Sequence, residues 1–200
     1  FIPDNQTREE YTVYQVLDKS IVVMYGGEYT SIDFDRELTV YNKSEKTSLK
    51  NISAELGVGD TLITYSDEFG TLDYGFVKTD SLKGPYTVEN PNWFSTYGIN
   101  NPAVNKNGKA VTAAEIKVND IIYYSEKLNT VWAYEKKATG IYEKAMPNKD
   151  NPTSVQVSGE TYTIEGVNAF KKLSTGGEYS YGDTVILLFG KNGDIADVKS

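Results

Sequence analysis

Three groups of side chains have the types and spacing to do chemistry. Asp33, Asp35 and Glu37 lie two apart, so on a strand their carboxylates would share one face while Ile32 and Phe34 take the other. Such a row could hold a cation or serve as the acid and base of a glycosidase. The second role needs a partner across a cleft, and the sequence assigns none. No Asp-x-Asp-x-Asp-Gly loop occurs, which excludes an EF-hand. A looser calcium site built from Asp, Asn and backbone carbonyls is compatible with the chain, and no other cofactor is implied. A charged strand face turned to water explains the same residues and is the preferred reading.

Trp93, Phe94 and Tyr97 fall in a segment rich in Asn and Pro, with Asn90, Asn92 and Asn100 nearby. Aromatic faces on a rigid β-scaffold suit pyranose rings, and the amides could bond hydroxyls, so Trp93, Phe94, Tyr97 and Asn92 are the candidate carbohydrate contacts. The alternative is that the rings plug a gap between β-units, the commoner fate of large aromatics. Trp132 with Tyr123, Tyr124 and Tyr134 reads as a cross-strand aromatic cluster.

The third group is a pattern written three times: Val58-Gly59-Asp60, Val118-Asn119-Asp120 and Tyr181-Gly182-Asp183, each followed by a strand-like run. The aspartates fall 60 and 63 residues apart, the mark of related units. Each carboxylate could face a ligand. The preferred reading is a turn, with Gly or Asn in a tight conformation and Asp accepting local backbone N–H groups before the strand begins.

Composition narrows the rest. The chain has 200 residues, 39% hydrophobic, with 16 Tyr, 7 Phe and 2 Trp, enough apolar content for real cores and a tyrosine excess that fits half-buried pleated sheets. A net charge of −8 with Arg8 and Arg36 as the only arginines argues against nucleic acid. Cysteine and histidine are both absent. That excludes disulfides and thiolate metal sites, and removes the commonest general base and the commonest metal ligand. Neither a Gly-x-Ser-x-Gly elbow nor a phosphate-cradling Gly-rich loop is present, and no enzyme is expected. No run is long and apolar enough for a membrane span or a signal segment. A chain opening at Phe1 is expected to be a processed piece of something longer.

The elements that would position these groups are hairpins. Ser154–Val157 and Glu160–Glu165 flank Ser158-Gly159, and an apolar strand from Asp183 to Phe189 returns after Asn192-Gly193. Ser20–Tyr25 and Glu28–Phe34 flank Gly26-Gly27; a connection with a short helical turn near Ser48–Ile52 leads to Asp60–Ser66, a turn ending at Gly70, and Leu72–Lys78. The middle unit keeps only Ile121–Ser125 and Thr130–Lys136 cleanly, with capping-box spacing at Thr112–Glu115. Three β-units are therefore expected, at 1–80, 81–138 with an irregular insertion at 89–102, and 139–200. Leu62, Tyr74 and Phe76 in the first, and Val185, Leu187 and Val198 in the third, are the expected core faces.

The stretches Val118–Ser125, Asn129–Tyr134 and Thr139–Glu143, with Ser154–Tyr162 and Gly182–Gly190, resemble the repeated β-modules of S-layer-type surface proteins of Gram-positive, clostridial-type bacteria. The likeness covers 104–200 well and 10–80 loosely. No S-layer homology (SLH) domain is recognisable, so wall anchoring transfers to no residue here. The resemblance implies an exported, extracellular, cell-surface or cell-wall location and a spacer or self-associating role. The expected fold is all-β: tandem small antiparallel barrel or sandwich units made of hairpins, stacked end to end, with only short helical turns. Expected partners are neighbouring domains of a longer surface protein, a second copy of the chain, or cell-wall polysaccharide. Two rival functions stay open, a carbohydrate-binding module and a cation-stabilised adhesion segment.

Overall fold

The first strand is one the hydrophobic pattern does not announce. Thr7–Val16 (β1) opens with charged residues and turns apolar only from Tyr11, yet it becomes an interior strand of a seven-stranded sheet. A computed structural model of the chain describes residues 7–42, 45–66, 72–79 and 82–200. About half of the chain is strand and the helices are short, so the fold is all-β. The chain divides into two compact units, Phe1–Ser81 and Leu82–Ser200.

In the first unit β1 is followed by β2 (Ser20–Tyr25), β3 (Glu28–Asp33), β4 (Thr39–Asn42), β5 (Glu45–Ser48), helix α1 (Leu49–Ile52), β6 (Thr61–Ser66) and β7 (Leu72–Lys78). The sheet order is β3-β2-β1-β6-β7-β4-β5. One face carries the core: Val13, Ile21, Val23, Val40 and Leu62 are fully buried against Leu49 and Ile52 of α1. The Ser48 hydroxyl caps α1 by accepting the Asn51 N–H at 3.2 Å. The expected core role of Tyr74 and Phe76 is corrected here. Leu62 pairs with Val77 and Thr64 with Gly75, so by the two-residue period Tyr74 and Phe76 take the opposite face. Phe76 is 41% exposed. The expected turn ending at Gly70 lies outside the described residues.

The second unit holds two five-stranded sheets. The first contains β8 (Lys83–Thr87), β9 (Ala103–Lys106), β10 (Lys109–Val111), β11 (Ile121–Ser125) and β12 (Thr130–Tyr134), with helix α2 (Trp93–Thr96) in the connection. The other contains β13 (Lys137–Met146), β14 (Ser154–Val157), β15 (Glu160–Thr163), β16 (Thr184–Phe189) and β17 (Ile195–Lys199), with helix α3 (Val167–Leu173). Their orders are β10-β9-β12-β11-β8 and β15-β14-β13-β16-β17. Two features refine the antiparallel barrel or sandwich units expected. β4 runs parallel to β7 and β9 parallel to β12. No sheet closes; in the last, a single parallel bridge from Ile164 to Ile195 ties the two edges.

One three-stranded nucleus recurs: β1-β6-β7, β8-β11-β12 and β13-β16-β17. The seven-stranded sheet flanks it with a hairpin on each side, β2-β3 beside β1 and β4-β5 beside β7. The second nucleus keeps only the hairpin beside its third strand, the last only the one beside its first. The vacant edges are therefore β8 and β17, and these lie against each other. The Thr87 hydroxyl donates to Asp197 Oδ2 at 2.5 Å, and Lys199 Nζ bonds Glu89 Oε1 at 3.0 Å.

Each nucleus is entered through the same turn. Gly59, Asn119 and Gly182 have φ of 88°, 73° and 98°, the positive value required at the third position of a type II turn. The aspartate N–H of each closes the turn onto the carbonyl of Gly57, Lys117 or Ser180 at 3.1–3.2 Å. Its side chain accepts the N–H of that same residue at 2.9, 2.8 and 2.8 Å. The Gly or Asn and the Asp together oppose one residue of the first strand (Val13, Val88 or Tyr142), exchanging bonds of 2.7–2.9 Å in the pattern of a G1 bulge.

Gly182→Ala is expected to destabilise its sheet by about 1 kcal/mol, because a Cβ disfavours positive φ, whereas Asn119→Gly should be neutral or slightly stabilising. Asp183→Ala should cost about 1 kcal/mol, since the carboxylate is exposed and water can replace it. Asp120→Ala should cost more, about 2–3 kcal/mol, because it also removes one of the two carboxylates that hold the buried Lys106 ammonium. Urea unfolding of the full chain, read by hydrogen exchange in each sheet, gives the ranking.

Candidate functional site

Asp33, Asp35 and Glu37 do not line one strand face. β3 ends at Asp33, and its carboxylate accepts the Asp35 N–H at 2.8 Å, curling the chain into a turn. Asp35 meets Lys50 at 3.5 Å with both side chains more than 70% exposed, a pair worth little in water. Glu37 is exposed beyond the turn. Among the described residues no group of three or more His, Cys, Asp or Glu side chains comes together as a metal site.

Trp93 starts the single turn of α2 and is only 2% exposed, inside the core formed by Val88, Ile99, Val104, Ile122 and Val131. It presents no face to a sugar ring. Phe94 stacks against it with centroids 4.1 Å apart and is half-buried. Tyr97 stacks on Tyr86 at 4.2 Å and donates its hydroxyl to the Thr87 carbonyl at 2.8 Å. Asn92 is exposed, and its backbone N–H bonds the Asn90 side chain at 2.8 Å. The insertion at 89–102 thus covers one face of the β8–β12 sheet.

The expected cluster of Tyr123, Tyr124, Trp132 and Tyr134 is divided between two faces. Tyr124 joins the Trp93 core, while Tyr123 and Tyr134 pack with Ile121 against Leu188 and Ala196 of the neighbouring sheet. A strand covered on both sides explains why Ile121–Ser125 is buried throughout and reads as an unbroken apolar run.

Tertiary structure assembles three polar groups that spacing in the sequence does not reveal. Lys106, 9% exposed, reaches Asp120 at 2.8 Å, Glu135 at 3.2 Å and the Glu115 carbonyl at 2.8 Å. Burial alone would pull its pKa down, but the hydrogen bonds to Asp120 and Glu135 outweigh it and the value is raised. Asp197, 1% exposed, accepts Lys172 Nζ at 2.8 Å in addition to Thr87. The third group centres on Glu165. The Tyr123 hydroxyl donates to Glu165 Oε1, lies 3.0 Å from Oε2, and accepts the Lys191 N–H at 3.1 Å. Lys191 Nζ sits 5.4 Å from the centre of the Tyr123 ring.

Burial raises the Glu165 carboxyl above its ordinary value, assisted by Asp194 and opposed by Tyr123 and Lys191. Burial and the adjacent carboxylate also push up the Tyr123 phenol, and burial takes Tyr134 to about 12. A raised carboxyl beside a groove is the kind of group that can serve as an acid. Open grooves of about 490 and 350 Å³ do lie on either side of Glu165–Val167. Yet the carboxylate is held by the Tyr123 hydroxyl, and the geometry is that of a latch between two sheets. Gly190 belongs to it: a Cβ there would lie 2.0 Å from the Tyr123 hydroxyl oxygen and 2.8 Å from Glu165 Oε1. The feature that could have marked this site is the isolated Gly at the end of β16, which signals close approach.

Because the folded Glu165 pKa is raised, the folded state holds its proton longer than the unfolded one, and stability falls as pH rises from about 4.3 through the folded value. Glu165→Gln keeps an acceptor for Tyr123, and should remove that slope and leave the protein as stable or more stable at pH 7. Gly190→Ala should lower stability by about 1–3 kcal/mol through overpacking. Trp132 lies in the adjoining sheet and Trp93 in the core against it, so tryptophan fluorescence during urea unfolding reads both variants.

No protein-family model matches the chain, and no curated protein matches it.

Proposed function

We propose that the chain is a non-catalytic structural segment of a bacterial cell-surface protein, a spacer or self-associating piece of the S-layer type, joined to neighbouring domains of a longer polypeptide. The observation that carries this reading is the threefold repetition of one strand nucleus with one hydrogen-bonded turn. Repeating a scaffold adds length and surface without creating a unique cleft. The buried charged groups support the same reading, because each is tied to another element of the fold: Lys106 to Asp120, Lys172 to Asp197, Glu165 to Tyr123. The resemblance of 104–200 to surface β-modules supplies the cellular setting.

In the producing bacterium, antibody to the chain should label intact cells, and mild protease treatment of whole cells should release its peptides. Deleting the segment from the full-length protein should thin the surface layer seen by electron microscopy while the protein stays cell-bound. Detection only in the cell interior would overturn the surface assignment, and loss of attachment on deletion would replace the spacer role with an anchoring one.

A further inference from the structure

We propose that the outer face of the seven-stranded sheet is a binding site for an acidic polysaccharide, with sugar rings lying on an aromatic strip and carboxylates meeting the lysines beside it. The register builds the strip. One cross-strand row reads Glu10–Ile63–Phe76–Tyr41–Lys46, and the next reads Arg8–Tyr65–Tyr74–Thr39. All of these side chains lie on the face away from the core, because Leu62, Val77 and Val40 hold the alternate positions. Tyr41 and Phe76 are near-parallel, 28° apart with centroids at 5.6 Å, and Tyr65 and Tyr74 repeat the arrangement at 5.0 Å. Tyr41 is 36% exposed and Phe76 41%. From β1 to β5 the rows cross four strand spacings, about 19 Å, room for a short run of pyranose rings.

Charge selects the occupant. Lys46 stands directly across from Tyr41, and Lys78 is two residues beyond Phe76 on the same face; both are exposed. Arg8 is bonded to Glu10 at 2.6 Å, and Glu10 is the one acidic residue on this face among those of β1, β4, β5, β6 and β7 whose side chains are described. Beside the aromatic strip Arg8, Lys46 and Lys78 outnumber Glu10, with Asp33 away at the far end of β3. This local positive charge on a chain of net −8 complements an anion and repels its own copy. Exposed rings add an affinity for the apolar faces of sugars that a simple anion would not use. Single-stranded nucleic acid also combines rings with cations, but it follows a longer basic groove than these few residues provide. The site lies outside the three groups that sequence spacing marks, and it does not depend on the spacer reading.

Titration calorimetry of the full chain tests this with polygalacturonate, its methyl-esterified neutral form and an oligodeoxythymidylate. Polygalacturonate should bind with an affinity that falls as salt rises, and the esterified form and the oligonucleotide should each bind roughly tenfold more weakly or not at all. Phe76→Ala and Tyr41→Ala should each reduce binding about tenfold or more, with circular dichroism confirming the fold. Lys46→Glu, at an exposed position, should abolish binding without touching the core. Absence of polygalacturonate binding, binding unchanged in Phe76→Ala and Lys46→Glu, preference for the oligonucleotide, or a chain dimer that Phe76→Ala dissolves would each overturn the proposal.

Discussion

The structure depends on how the chain enters the middle strand of each nucleus. A polypeptide arriving from a loop must place every backbone N–H and C=O within one or two residues, and buried groups left unpaired are costly. Three times this is met by one device: positive φ at Gly59, Asn119 or Gly182, then an aspartate that accepts the N–H three residues back. The bulge that follows opposes two residues to one. It therefore sets which side chains of β6, β11 and β16 face the core, because a slip of one residue would exchange the two faces. Asp120 carries a second role, holding the Lys106 ammonium inside the protein.

Around that nucleus the architecture varies by what is left out. The seven-stranded sheet has hairpins on both flanks and a core on one face, so its other face stays open with tyrosines and Phe76 on it. Each five-stranded sheet lacks one hairpin, and the two bare edges, β8 and β17, cover each other. That contact is polar at the edges, through Thr87–Asp197 and Glu89–Lys199, and apolar at its centre, where Ile121 and Tyr123 meet Leu188 and Ala196. Strand edges are otherwise open to unwanted pairing, and mutual covering removes the hazard for two of them.

Much of this was legible in residue types. Val185 and Leu187 on β16 and Val198 on β17 take the core face expected of them and are fully buried. The Gly/Asn-Asp turns were readable because their geometry is local, four residues and one side chain. Asn107-Gly108 joins β9 to β10 with φ of 52° and 83°, a strong hairpin signal in a region that the alternation pattern leaves unassigned. Phe76 was misplaced because strand periodicity identifies two faces without saying which one is buried. Trp93 could be read as a platform or, the commoner fate, as a plug, since its burial depends on residues from Val88 to Val131.

The sequence alone determined the local vocabulary: strands, tight turns, the threefold repeat, and the absence of histidine and cysteine chemistry. These follow from steric and hydrogen-bonding preferences that act over a few residues. Only the tertiary structure decided which side of each nucleus received a hairpin, which aromatic face was left to solvent, and that Glu165 would meet Tyr123 across 42 residues of chain. Those outcomes rest on pairing between distant strands, whose cost in chain entropy and gain in burial are settled by the whole fold.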